Sequence, residues 1–242
     1  MNLIVIKSSL LSKIPRLIHG ISTKISVNES NFNLSNSFDK VDETIELNRK
    51  LFFDALGIPK DRIVFQKQVH SDKFYYATEP GIISSNDALI TNKPNLFLVV
   101  TIADCIPILF YDVENKIAGV VHAGWRGTTS AILKKTVTYA IEELKMNIQK
   151  TYFYFGPSIC QKCFEVDEDV ANYFELKYIG IKEKKFLIDL PAVNRDYLLS
   201  LGAKKENIQI SKLCTYEASN LLHSYRRDKE NSGRMFGVIG FK

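Results

Sequence analysis

The chain has 242 residues, 45% of them hydrophobic and 24% charged, ordinary values for a globular protein long enough to bury a substantial core. Its net charge of +5 is modest, and its lysines are scattered apart from residues 182–185 and the pair Arg226-Arg227, so without a reader motif no nucleic-acid partner is expected. No apolar run approaches the roughly 18 residues that span a bilayer, the first residues lack the basic-then-apolar order of an export signal, and four cysteines are few for a disulfide-built fold. The expectation is a cytoplasmic protein with reduced thiols and no membrane partner.

Residues 3–7 and 17–23 read as short strands with Pro15 marking the turn between them, and residues 26–37, rich in Asn and Ser, as a loop. Residues 39–56 have helical spacing, with Val41, Ile45, Leu47, Leu51, Phe52 and Leu56 as the apolar stripe, Asp39 as cap and Gly57 as stop. A strand over 63–69 ends at His70. Residues 96–102 form a nearly continuous apolar run, which suits a strand buried on both faces and delivers Ala-Asp-Cys at its end. Two further strands, 108–111 and 117–121, lead to His122.

His-Ala-Gly-Trp-Arg-Gly at 122–127 then turns the chain into a helix, for which Thr128 and Thr129 are candidate caps. Arg126 and free backbone N–H groups at such a helix start would form an anion site. Downstream, 152–155 reads as a strand, 167–178 as a helix and 186–189 as a short strand. Residues 191–201 read as a helix with proline in its first turn, and 208–213 as a strand. The tail reads as a loop around Tyr225-Arg-Arg-Asp228 followed by a closing strand. There is no repeat and no linker, so 1–242 is expected to form a single domain, α+β (α/β), with strands and helices mixed throughout.

One thiol and two imidazoles, Cys105, His122 and His70, end three apolar runs. They match a catalytic zinc, which takes three protein ligands and leaves a fourth position open. A thiol–imidazole catalytic pair suits the same residues. Asp104 beside Cys105 is a candidate to orient a ligand or move a proton, because a carboxylate at a buried strand end needs a partner. Arg126 and the Arg226-Arg227 pair are candidates to hold phosphate or ribose, or to make ion pairs. Cys160-Gln-Lys-Cys163 is a single C-x-x-C without a second pair. It reads, with Cys214, as ordinary small buried residues. His19 and His223 read as structural.

Several blocks occur in the order typical of one family: His-Gly-Ile-Ser-Thr at 19–23, Gln-Val-His at 68–70, Asp-Ala-Leu-Ile-Thr at 87–91, Thr-Ile-Ala-Asp-Cys-Ile-Pro at 101–107, His-Ala-Gly-Trp-Arg-Gly at 122–127, Gly-Pro-Ser-Ile at 156–159, Leu-Cys-Thr-Tyr at 213–216 and Tyr-Arg-Arg-Asp at 225–228. Over nearly its whole length the chain resembles the bacterial polyphenol oxidase or laccase-domain family, also called YfiH-like. The resemblance implies mixed β-sheets packed between helices and a zinc held by His70, Cys105 and His122, with copper as the other candidate metal. It further implies phosphorolysis of adenosine, inosine or methylthioadenosine together with deamination of adenosine, and a monomer is expected. Asn33, Lys24 and Arg126 would then contact purine nucleoside or phosphate. The family usually has Arg where this chain has Lys24, which keeps the charge but not the planar fork. The Gly-Gly that usually follows is absent, so the loop over 25–37 is expected to differ in shape. Two other readings are a Cys–His amide hydrolase acting on peptidoglycan precursors and a copper polyphenol oxidase, the latter poorly served by four histidines.

Overall fold

A computed structural model describes residues 3–26, 31–35 and 42–242. The strands of the first part are β1 (Val5–Ile6), β2 (Leu17–Ser22), β3 (Ile63–Lys67), β4 (Phe74–Tyr76), β5 (Gly81–Ser84), β6 (Ala88–Thr91) and β7 (Phe97–Ile102). Those of the second are β8 (Ile106–Asp112), β9 (Ile117–Ala123), β10 (Thr151–Phe155), β11 (Glu165–Val166), β12 (Ile179–Lys182), β13 (Lys185–Ile188), β14 (Ile208–Ile210) and β15 (Met235–Phe241). The helices are α1 (Glu43–Ala55), α2 (Trp125–Thr129), α3 (Ile132–Leu144), α4 (Glu168–Ala171), α5 (Leu190–Ser200) and α6 (Tyr225–Asp228).

Two mixed six-stranded sheets stack face to face, ordered β1-β2-β15-β7-β3-β5 and β14-β10-β8-β9-β6-β4, beside a small antiparallel sheet β11-β13-β12. The period of two along each strand assigns its side chains to layers. In β7, Leu98, Val100 and Ile102 point inward and meet Leu109, Ala118 and Val120 of the second sheet. Phe97 and Val99 point the other way, against Phe52 and Phe53 of α1. On the far side of the second sheet, Ile108, Phe110 and Val121 pack on Leu133 and Val137 of α3 and Leu198 of α5. The order is therefore helix, sheet, sheet, helix. Each fully buried side chain of this kind contributes about 1.5–3 kcal/mol. Gly119 is required where it stands: a Cβ there would lie 2.1 Å from the ring of its cross-strand partner Phe110.

Several boundaries differ from the sequence pattern. Helix α1 is capped by Asp42, whose carboxylate accepts the N–H groups of Thr44 and Ile45, while Asp39 and Val41 lie outside the described residues. Leu47 faces solvent, and the buried face instead takes in Phe53, Asn48 and Arg49. The helix expected from Thr128 begins earlier, at Trp125, and is interrupted at Ala131, whose left-handed φ of 58° separates α2 from α3. The helix expected over 167–178 shrinks to α4, because Tyr173 and Leu176 stay exposed and offer no apolar face to bury. Tyr225-Arg-Arg-Asp228 is the short helix α6 rather than a loop.

Candidate active site

The two large sheets bring four strand ends to one end of the sandwich. His70 follows β3 after a two-residue extension, in which Gln68 Nε2 donates to Thr101 O (2.8 Å) and Gln68 Oε1 accepts from Thr101 N (2.7 Å). Cys105 lies on the link by which β7 of the first sheet passes to β8 of the second. His122 occupies β9 on the face shared with Ala118 and Val120, so its ring enters the layer between the sheets. The sulfur and one ring nitrogen of each histidine lie within 4.8 Å of one another. Cys105 and Gly124 flank the last β8–β9 pair, Ile106 and Ala123, and a Cβ at Gly124 would come within 2.8 Å of the sulfur and 3.4 Å of the His70 ring. Only glycine leaves that volume to the three donors.

Asp87, fully buried just before β6, organises this group. One carboxylate oxygen accepts His122 Nδ1–H (2.9 Å) and His70 N–H (3.0 Å). The other accepts Ser71 N–H (2.7 Å), Ser71 Oγ–H (2.8 Å) and Val69 N–H (3.2 Å). This shapes the turn in which His70 adopts φ 58°, and it fixes the His122 tautomer that leaves Nε2 facing Cys105. Burial raises the Asp87 pKa, but the bonds from His122 and Ser71 outweigh it and bring it down to about 2. Burial alone would likewise push the Cys105 thiol up. The charge and hydrogen bond of His122, with His70, lower it instead to about 6. Burial lowers His122 while Cys105 and Asp87 raise it to about 9. Both shifts favour a thiolate beside an imidazolium. The donor set, one soft sulfur and two imidazoles with an anchored far nitrogen, fits zinc and also suits copper.

Above these residues opens a cavity of about 740 Å³, within the range of small-molecule sites. Asp104 lines it, in a left-handed backbone conformation of φ 89°. Its carboxylate accepts Thr215 Oγ–H (2.6 Å) and the backbone N–H of Arg226 (2.6 Å). Arg226, Lys229 and Arg234 give the wall three cations, and Phe164 and Tyr225 give it aromatic surface. The Arg226 guanidinium lies 5.3 Å from the Phe164 ring and donates to Glu165 O. Arg227 has a different task, tying Thr215 O, Tyr216 O and Leu222 O to Asp228.

Three expected substrate contacts stand back from the lining. Asn33 Oδ1 accepts the backbone N–H groups of Arg234 (2.7 Å) and Ser35 (3.0 Å), so it sits behind the wall. Lys24 lies toward Asp228 and His223, where its charge acts on both. Arg126 is exposed, its guanidinium 4.3 Å from the Trp125 ring. His19 and His223 are buried away from the site: His19 Nε2 accepts Ser8 N–H, and His223 Nε2 faces Phe32 O. Asp87 is a site residue that the strand-end pattern does not single out, although, like Asp104, it is a carboxylate abutting an apolar strand. Lys229 and Arg234 carry no local signal in the sequence.

A family model described as multi-copper polyphenol oxidoreductase laccase matches residues 18–242. The chain belongs to this laccase-domain family. Among curated relatives it is 31% identical over 218 residues to purine nucleoside phosphorylase YlmD of Bacillus subtilis (strain 168), covering 83% of this chain and 78% of that one. It is 33% identical over 202 residues to adenosine deaminase RL5 from an unknown prokaryotic organism, covering 76% and 77%. The crystal structure of YfiH from Bacillus licheniformis superposes with a TM-score of 0.87 at 30% identity, covering 93% of each chain. The family fold, two mixed sheets between helices, is thus the fold of this chain. No helix among the described residues is long and apolar enough to cross a membrane.

Proposed function

We propose that this chain is a zinc-dependent purine nucleoside enzyme. It phosphorolyses adenosine, inosine and methylthioadenosine to the free base and the corresponding ribose 1-phosphate, and it deaminates adenosine. The observation that carries this reading is the convergence of Cys105, His70 and His122, anchored by Asp87, on a cavity rimmed by three cations. The two relatives named above, a purine nucleoside phosphorylase and an adenosine deaminase, supply the substrate class.

His70, Cys105 and His122 would hold the zinc, which supplies Lewis acidity when bound. Arg226, Lys229 and Arg234 attract and position phosphate. One phosphate oxygen forms the new bond to C1′ of the ribose while the bond from C1′ to the base breaks, and the base leaves with the electron pair. Positioning and charge stabilisation are the main demands of such a step. Phe164 and Tyr225 offer faces on which a purine can stack. Asp104, oriented by Thr215 and Arg226, is the residue proposed to move the proton in deamination. Asn33 acts through the backbone of Arg234, and Lys24 and Arg126 add positive charge at the margin. The working unit we propose is a monomer. Zinc is preferred to a set of coppers because His19 and His223 are committed elsewhere.

A second reading rests on the thiolate–imidazolium pair with Asp87 behind it, the parts of a Cys–His nucleophile acting on amides such as those of peptidoglycan precursors. One experiment separates the two. Purified protein is analysed for metal, then incubated with phosphate and each nucleoside, with Cys105→Ala run beside the wild type. The expected result is zinc in the wild type, with free base formed by the wild type alone and lost on chelation. Turnover that persists in Cys105→Ala overturns the proposal. Amide hydrolysis that survives chelation and is abolished by alkylation would establish the second reading.

A further inference from the structure

The three remaining cysteines form a second constellation, away from His70 and His122. Cys160, Cys163, Cys214 and Glu217 each present a ligand atom, all within 4.8 Å of one another. None of the cysteines is in a disulfide. The assembly follows from strand pairing. β10 and β14 run parallel, with Phe155 beside Ile210, and the chains that leave them stay paired. Ser211 N donates to Phe155 O, Thr215 N donates to Ser158 O, and Ser158 bridges Cys214. The C-x-x-C segment then folds into a tight turn in which the N–H groups of Cys163 and Phe164 both donate to Cys160 O (3.0 Å each). This turn swings the Cys163 thiol back toward Cys160. Cys214 lies 54 residues beyond Cys160 but receives the Cys160 N–H on its sulfur at 3.3 Å. The amides of Tyr216 and Glu217 lie against the same sulfur.

We infer that Cys160, Cys163 and Cys214, with Glu217 as the oxygen donor, form a second metal site that takes a zinc ion in a closed, four-ligand structural arrangement. A C-x-x-C turn completed by two distant donors is the ordinary layout of such sites, and three thiolates with one carboxylate fill a tetrahedron without an open position. N–H groups directed at a sulfur stabilise it as a thiolate ligand. Lys162, between the two turn cysteines, pairs with Glu217 at 2.7 Å and so draws that carboxylate over the thiols. None of the four residues lines the cavity, so the site is structural rather than catalytic. Its consequence is mechanical. Phe164 follows Cys163, Thr215 follows Cys214, and Ile159 N donates to Asp104 O while Thr215 Oγ donates to the Asp104 carboxylate. The ion would fasten together the two segments that hold Asp104 and the Phe164 wall.

The test is metal stoichiometry and the cobalt spectrum of the whole chain, purified under reducing conditions. Wild type should carry two ions per chain. Cys105→Ala should keep one, and its cobalt form should show the strong sulfur-to-cobalt charge-transfer bands of several thiolates. Cys163→Ser should lose one ion and most of that absorption, with a lowered unfolding temperature. Because Cys105→Ala removes a ligand of the first site only, its result judges the second site whether or not Cys163→Ser folds, and whether or not the purine reading holds. A Cys105→Ala protein that binds no ion overturns the proposal. So does a Cys160–Cys163 or Cys160–Cys214 disulfide recovered from that protein by alkylation and mass spectrometry.

Discussion

Replacing Asp87 by Asn tests the site's design most directly, because the change is isosteric and the residue touches no substrate. The carboxylate accepts five hydrogen bonds, two on one oxygen and three on the other. An amide keeps one oxygen, and the arrangement that retains most bonds turns it toward Val69 and Ser71. The NH2 group then faces His70 N–H and His122 Nδ1. A donor facing Nδ1 forces the opposite tautomer on His122, placing its proton on Nε2, the atom a metal needs. His70 N–H loses its acceptor outright, at about 1–3 kcal/mol. The lowered pKa gives an independent figure: a fall from 3.8 to about 2 corresponds to about 2 kcal/mol of stability held by the ionised group at neutral pH. The sign follows from the depression: this stability is present above pH 3.8 and is lost as pH falls through about 2. Asp87→Asn should therefore lower folding stability by about 3 kcal/mol in urea titration. Its zinc affinity, measured by competition with a chromogenic chelator, should fall roughly 10- to 100-fold, the usual effect of removing an orienting carboxylate. Zinc affinity within threefold of wild type would refute the tautomer argument, even if stability fell as expected.

Three further outcomes follow from the same geometry. Gly124→Ala puts a methyl 2.8 Å from Cys105 Sγ at a backbone conformation any residue can adopt, so zinc affinity should drop roughly 10-fold or more while the far-ultraviolet spectrum is unchanged. If phosphate binds as proposed, Arg234→Met should raise its KM roughly 10-fold, the worth of one charge-assisted contact, without changing metal content; an unchanged KM removes Arg234 from the proposed phosphate site. His19 and His223 are buried and neutral, each with its pKa lowered by burial from 6.5 to about 4, so the unfolded chain binds more protons between those values. Stability should fall as pH drops through 6.5 and level off below 4, with each histidine accounting for about 2 kcal/mol at pH 5. A urea midpoint that does not move between pH 7 and pH 5 would contradict this.

Much of the site could be read from residue types at strand ends. His70, Cys105 and His122 stood out because each closes an apolar run, and the structure brings all three together. The same local reasoning failed where partners come from far along the chain. Asp104 has a local signal as a carboxylate at a buried strand end, whereas Asp87, immediately before the start of β6, has a weaker one, because its partners on Val69, Ser71 and His122 are set by the pairing of β6 with β9 and by the turn after β3. The C-x-x-C has no further ligand nearby in sequence, and Cys214 and Glu217 arrive beside it only through the parallel pairing of β10 and β14. The helix boundaries erred for a related reason. Leu47 fits the periodic stripe of α1 as well as Phe53 does, and only contact with Phe65 and Phe236 selects the latter.

By itself the sequence determined the longer strands and helices, the burial of β7 on both faces and the three donor side chains at strand ends, because hydrophobic period and strand ends are local properties, while the short elements β4, β5, β6, β11, β12 and α6 left no such pattern. Only the tertiary structure decided which carboxylate holds His122, where the three cavity cations gather and that four scattered ligand atoms meet at Cys160. Those facts depend on register between strands distant in sequence, and register is decided by the packing of whole sheets, which no short stretch of chain encodes.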